Sequence, residues 1–239
     1  MKSGVLYGVG VGPGDPKLLT LQAVELLQKA DVIAIPHTGS ASDVAWNVVK
    51  DYVADTPVLR CAAPMTRNQE KMDRAWEENA DQICALLEAG KTVAFITLGD
   101  PSIYSTYWYL HRKVVARGHQ AQMIPGVPSF CAAAAGLNQA LCEGEEPLLI
   151  VPASHGGLEE SLNVKANKVF MKAGRQLGAL KEALKTHGAL EQAALAVNCG
   201  LEGERYEPSF AEADPEAGYF AIVVVKEPPQ NGVMGGNDR

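Results

Sequence analysis

The stretch GVGVGPGDP, Gly8–Pro16, lies between an apolar run and a helical pattern and decides how the first half of the chain is read. A nicotinamide or flavin loop on a Rossmann unit needs G-x-G-x-x-G, with an acidic residue about twenty positions further on. Counted from Gly8 the third glycine slot holds Pro13; counted from Gly10 it holds Asp15. A Walker loop needs Lys and then Ser or Thr after its last glycine, where Gly14 is followed by Asp15 and Pro16. What remains is a glycine-rich turn stiffened by Pro13 and Pro16. Its backbone can lie close against something flat or bulky, or it can be a tight strand-to-helix turn with no ligand.

Working outward, Val5–Val11 reads as a strand and LTLQAVELLQKA as a helix with Leu19, Ala23, Leu27 and Ala30 on one face. Either Asp15 or Thr20 is placed to cap it. ADVIAIP is a short buried strand ending at Pro36, so strand, helix and strand imply a right-handed parallel crossover. Arg67–Ala89 carries Met72, Trp76, Ala80, Ile83 and Leu87 at spacings of three and four, which predicts a helix closed by Gly90. Thr92–Leu98 is an apolar strand running into GDPSIYST and a helix over Ile103–Arg117. Gln120–Ile124 is a further strand, leading into PGVPSFCAAAAG, a proline-flanked turn and a small-residue helix. Turns rich in Gly and Pro thus recur beyond the C-terminal ends of predicted parallel strands, the edge where open α/β sheets bind ligands.

After Gly136 the segments PLLIVPAS, KVFMKA, LAVNC and YFAIVVVK read as strands with one clear helix, Leu177–His187, among longer polar connections. The prediction is an α/β protein of two domains: 1–125 with a mostly parallel sheet and 126–226 with a mixed one. Residues 227–239, rich in Pro, Gly and Asn, form a frayed or disordered tail.

The chain has 239 residues, enough to bury a core without disulfides or metals. Five scattered cysteines, with no C-x-x-C pair, point to reduced thiols. No signal segment or membrane-spanning run opens the sequence, so a cytoplasmic protein without membrane contact is expected. A formal net charge of -7 disfavours nonspecific nucleic-acid binding.

His37, His111, His119, His155 and His187 show no metal-ligand spacing, no G-x-S-x-G elbow occurs, and Ser154 beside His155 is mere adjacency, so neither metal nor triad chemistry is expected. Asp100 stands out as a carboxylate between glycine and proline at the end of an apolar strand. It is either exposed at the ligand edge or a cap on the turn's backbone N–H groups. Arg67, Lys71 and Arg74 read as a solvated helix face, with an anion site as the sharper option.

GVGPGDPKLLTLQAVELLQKADVI, ITLGDPSIYST, IPGVPSF and VFMKA, in that order and up to about Lys226, resemble the tetrapyrrole methylase family of S-adenosylmethionine-dependent methyltransferases. Val58–Leu110, with PMT at Pro64–Thr66 and YSTYWYL after the GDP turn, is similar to the branch that methylates carbon 20 of precorrin-2 or cobalt-factor II in cobalamin biosynthesis. Leu98 stands before GDP where relatives acting on uroporphyrinogen have a second glycine, a further mark of that branch.

The resemblance implies two α/β domains with S-adenosylmethionine between them, a tetrapyrrole substrate and a homodimer. It implies cofactor contacts at Gly99, Asp100, Ile103, Ser105, Thr106, Ser129, Phe130, Met171 and Ala221, with the opening loop near Pro13 approaching cofactor or substrate. Asp100 is the catalytic candidate, with positioning ranked above a base role. Arg60, Arg67 and Lys172 are candidates for gripping the carboxylates of the macrocycle. Rival readings are a methylase for another ring carbon, for RNA or for a modified histidine, a nicotinamide-dependent oxidoreductase, and a tetrapyrrole carrier without activity.

Overall fold

The computed structural model describes residues 4–37, 44–53, 55–64, 66, 68–153, 157–214, 218 and 220–228. The candidates Arg67, Ser154 and His155, and the tail from residue 229, lie outside the described residues. The chain divides into two compact units, Met1–Ala132 and Ala133–Arg239.

The first unit is built on a parallel five-stranded sheet of order β3-β2-β4-β1-β5, from β1 (Val5–Gly10), β2 (Val32–His37), β3 (Val58–Ala62), β4 (Val93–Thr97) and β5 (Gln120–Ile124). Parallel strands need crossovers, and the helices supplying them cover both faces. Alternate residues of β4 show this. Val93 and Phe95 pack with Trp76, Ala80, Ile83 and Leu87 of α3 (Gln69–Glu88) and with Tyr107, Leu110 and Val114 of α4 (Tyr107–Ala116). Ala94 and Ile96 face the opposite way, against Ala23 and Leu27 of α1 (Leu21–Lys29) and Val48 and Val49 of α2 (Val44–Val49). Each large side chain buried in this way contributes about 1.5–3 kcal/mol.

The local signals hold in most places. Both proposed caps are used: Thr20 Oγ1 accepts the Ala23 N–H at 3.1 Å to start α1, and Asp15 Oδ1 accepts the Lys17 N–H at 2.9 Å on the preceding one-turn 3-10 helix. Asn68 caps α3 through the Lys71 N–H, and Lys71 and Arg74 lie on its exposed face. Gly90 follows α3 with φ 77°. On the surface Glu77 of α3 accepts from both Lys113 and Arg117, the latter at 2.6 Å, tying α3 to α4.

One boundary moves. The predicted helix from Ile103 begins only at Tyr107, because the chain between is held in an irregular loop in which Tyr104 takes a left-handed φ of 47°.

The second unit carries a mixed sheet of order β6-β7-β10-β8-β9: β6 (Leu148–Pro152), β7 (Asn167–Met171), β8 (Ala193–Val197), β9 (Arg205–Glu207) and β10 (Ala221–Val225). Only β6 and β7 run parallel. Phe170, Leu195, Val197 and Val223 pack with Leu177, Leu180 and Leu184 of α7 (Leu177–Thr186). Between the two sheets in sequence runs α5 (Ser129–Leu137), where a Cβ on Gly136 would sit 2.1 Å from the Tyr206 ring. The small residues of that helix therefore admit β9 at close range. A short α6 (Leu158–Leu162) precedes β7.

Candidate functional site

Because β4, β1 and β5 are adjacent and parallel, the loops leaving their C-terminal ends lie side by side. Backbone groups fuse them. The Val11 N–H donates to Thr97 O at 3.0 Å, and Gly12 and Gly99 exchange hydrogen bonds at 2.7 and 3.3 Å. A Cβ on Gly10 would lie 2.6 Å from Gly126 N and 2.7 Å from Gly99 O, and one on Gly126 would lie 2.3 Å from Gly99 O. The end of β1 and the turns after β4 and β5 thus each bring a glycine to one junction, so close that neither Gly10 nor Gly126 can carry a side chain.

This accounts for the spacing of glycines in the opening motif. Gly8 makes room for Tyr107, whose ring would be 2.3 Å from an added Cβ; Gly10 meets the other two loops; Gly12 takes φ 74°. The bulky neighbour that the motif accommodates at Gly8 and Gly10 is the protein itself. Pro13 is buried beside them.

The GDP turn is pinned at both ends. Asp100 Oδ1 accepts from the Ser102 N–H at 2.8 Å and from the Ser102 hydroxyl, while Oδ2 accepts the Gly126 N–H at 3.0 Å. Both carboxylate oxygens are engaged, one within the turn and one with the PGVP loop after β5. At the other end the Ser105 hydroxyl lies 2.9 Å from that of Thr97 at the end of β4 and accepts the Tyr107 N–H at 3.2 Å. Tyr107 in turn donates to Gln122 O on β5 at 2.8 Å. Burial pushes its phenol well above the usual range, so it stays a neutral donor.

Of the expected cofactor residues, Gly99, Asp100, Ile103, Ser105, Thr106, Ser129 and Phe130 share this corner. A Cβ on Gly99, which has φ 70°, would find nothing nearer than Ser129 N at 3.8 Å. The turn is open on that side, and the start of α5 forms its wall. Ile103 is half-buried, Thr106 exposed and Phe130 buried.

In the second unit Met171, Lys172 and Ala221 lie at one sheet end, where the Ala173 N–H donates to Ala221 O at 3.3 Å. Lys172 directly follows β7 with φ 56°. Much of its side chain is open to solvent, yet desolvation holds its ammonium below the ordinary lysine range. Asn198, directly after β8, has φ 53° and donates its N–H to Phe220 O. Arg60 lies elsewhere, exposed on the edge strand β3 and separated from β4 by β2.

Sequence reasoning missed Ser102, Thr97 and the Gly126 amide. Ser102 was findable as the residue two after an Asp in a turn, the usual Asx-turn spacing. The Gly126 contact spans 26 residues and leaves no local signal. Among the described residues no group of three or more His, Cys, Asp or Glu is arranged to hold a metal ion. None of the described helices is long and apolar enough to cross a membrane.

The sequence profile of the tetrapyrrole (corrin/porphyrin) methylases matches residues 5–213. The chain is 32% identical, over 93% of its length and 95% of the other, to a precorrin-2 C(20)-methyltransferase of Sinorhizobium sp. It is 40% identical over 62% of its length to a probable cobalt-precorrin-2 C(20)-methyltransferase of Methanocaldococcus jannaschii, spanning 63% of that protein. Among solved structures, a cobalt precorrin-4 methyltransferase superposes with a TM-score of 0.73 at 19% identity, covering 92% of this chain and 94% of that one. The uroporphyrin-III C-methyltransferase of Thermus thermophilus, complexed with S-adenosylhomocysteine, superposes with a TM-score of 0.67 at 23% identity, covering 94% and 98%. At these identities the superpositions establish the shared fold.

Proposed function

The chain belongs to the tetrapyrrole (corrin/porphyrin) methylases, and on that premise we propose that it transfers a methyl group from S-adenosylmethionine to carbon 20 of precorrin-2 or cobalt-factor II in cobalamin biosynthesis. The observation that carries this reading is the 32% identity to a precorrin-2 C(20)-methyltransferase over nearly the whole of both chains.

The residues fit the cofactor. The open side of Gly99 leaves a cradle that a Cβ would begin to fill, and the fused glycine junction behind it keeps that cradle rigid. In the first unit Gly99, Asp100, Ile103, Thr106, Ser129 and Phe130 are the candidates for holding it, and in the second unit the family resemblance adds Met171 and Ala221 as candidates. S-adenosylmethionine supplies a methyl already activated on a sulfonium, so the protein's task is alignment and exclusion of water. With both oxygens of Asp100 engaged by Ser102 and Gly126, its role is to fix the turn, and its charge to favour a cation nearby. Ser105, committed to Thr97 and Tyr107, supports the loop from beneath. Lys172 and Arg60 are the candidates for substrate carboxylates, with Lys172 the better placed because it shares a sheet end with Met171 and Ala221.

We read the enzyme as a homodimer working in the cytoplasm, in keeping with its free cysteines at Cys61, Cys84, Cys131, Cys142 and Cys199. The rival is methylation of a different ring carbon. Transfer from S-adenosylmethionine labelled with carbon-13 in its methyl group, followed by NMR of the product, separates the two. Label at the meso carbon 20 supports the proposal, and label at a pyrrole carbon replaces it with the rival.

A further inference from the structure

We propose that Tyr104 is a substrate-recognition residue whose ring is held out by the GDP loop to stack on the tetrapyrrole. This assignment rests on the tetrapyrrole reading above and extends it to a position that neither the motif nor the comparisons assign.

The described non-glycine residues with left-handed φ are Tyr104, Asn138, Lys172 and Asn198. Asn138 ends α5, where the Asn138 and Gln139 N–H groups donate back to Ala135 O and Ala134 O, so a left-handed residue is part of an ordinary helix stop. Asparagine tolerates the conformation, and Asn198 closes a turn in which its carbonyl accepts the Leu201 N–H at 2.8 Å. Tyr104 has neither excuse. An aromatic side chain is among the poorer choices for φ 47°, and a glycine would adopt it freely.

Such a conformation persists only where the surroundings over-determine it. Here they do. Two residues before Tyr104, Ser102 is bound to Asp100, which is itself bound to Gly126; one residue after it, Ser105 is bound to Thr97 and to the Tyr107 N–H. The hydrogen bonds on both sides thus fix the direction in which the Tyr104 ring leaves the backbone. Tyr104 is 43% exposed and Tyr109, on the outer face of α4, 39%, whereas Tyr107 at the start of that helix is fully buried. A large apolar face is therefore displayed at the ligand edge of the sheet, on the same turn as the candidate cofactor residues. A conjugated macrocycle bearing acid side chains suits such a tyrosine: the ring offers an offset-stacking face, and the phenol a donor for a carboxylate.

The test compares wild type with Tyr104→Gly and Tyr104→Phe in thermal unfolding, in S-adenosylhomocysteine affinity by calorimetry, and in steady-state methylation of precorrin-2 and cobalt-factor II. The glycine variant relieves the backbone and removes the ring. It should unfold no earlier than wild type, bind S-adenosylhomocysteine within about twofold of it, and raise KM for the tetrapyrrole about tenfold with a smaller change in kcat. Tyr104→Phe should recover most of the KM. An unchanged KM in the glycine variant would overturn the proposal, as would a parallel loss of S-adenosylhomocysteine affinity, which would assign the ring to the cofactor. If wild type methylates neither substrate, the proposed function fails separately. Titration of uroporphyrin III into wild type and Tyr104→Gly then decides the role of the ring, with weaker binding in the variant supporting it and equal or absent binding in both overturning it.

Discussion

The Asp100 carboxylate accepts the backbone N–H of Gly126 at 3.0 Å, joining the turn after β4 to the turn after β5 across 26 residues of sequence. Substituting Asn keeps one acceptor oxygen but sets an amide NH2 against either the Gly126 N–H or the Ser102 donors. Losing a charge-assisted hydrogen bond at the site is worth about 1.5–3 kcal/mol, so kcat/KM should fall about 10- to 100-fold in Asp100→Asn while the fold survives. An unchanged single-turnover rate would show that the carboxylate only closes its turn.

The glycine junction gives a sharper prediction on stability. Gly126→Ala and Gly10→Ala each place a methyl group under 3 Å from backbone that two other strands hold in place, and each should cost more than about 2 kcal/mol in urea unfolding. Gly178, inside α7 with nothing within 4 Å of an added Cβ, makes the control: Gly178→Ala should stabilise by about 0.5–1 kcal/mol.

Lys168 on β7 is buried, and its ammonium donates to Ala166 O at 2.7 Å and to Glu227 just past β10. Asn167 strengthens this clasp by accepting the Glu227 N–H at 2.8 Å. Removing one partner strands a buried charge, whereas removing the charge itself does not. Glu227→Ala should therefore destabilise the protein by about 2–3 kcal/mol, and Lys168→Met by clearly less, as read from denaturant midpoints.

His111 on α4 packs against Trp108 with its Nδ1 3.1 Å from the Tyr107 hydroxyl, and burial holds its pKa below the ordinary histidine value of 6.5. The native state therefore binds fewer protons at this site than the unfolded chain. Its contribution is fully present above 6.5 and is lost as pH falls through the depressed native pKa. Melting temperatures measured downward from neutral pH should drop less steeply in His111→Asn than in wild type. Parallel slopes would contradict the assignment.

Much of this architecture is legible in the sequence because local physics and tertiary packing agree there. The apolar positions of α3 recur at helical spacing and all five predicted residues face the core or its margin. The apolar strands bounded by Gly and Pro lie where periodicity puts them. What escaped was set by distance in the sequence. β9 is three residues long and mostly polar, paired with β8 by hairpin geometry that no run of apolar residues announces. The late start of α4 depends on Thr97 capturing Ser105 and on Asp100 reaching Gly126, contacts that override the helical pattern of the following residues. At the site, the glycines of the opening motif suggested close approach to a partner. That its nearest partners are Tyr107, Gly99 and Gly126 required three strands to be assembled first.

The central claim is tested most directly by a single-turnover methyl-transfer assay under anaerobic conditions. Precorrin-2 and cobalt-factor II are offered separately with S-adenosylmethionine, and the products are read by mass spectrometry. The account predicts the addition of one methyl group, and only one, to at least one of the two. No added methyl on either substrate, from protein that still binds S-adenosylhomocysteine, would contradict it and move this family member to another substrate.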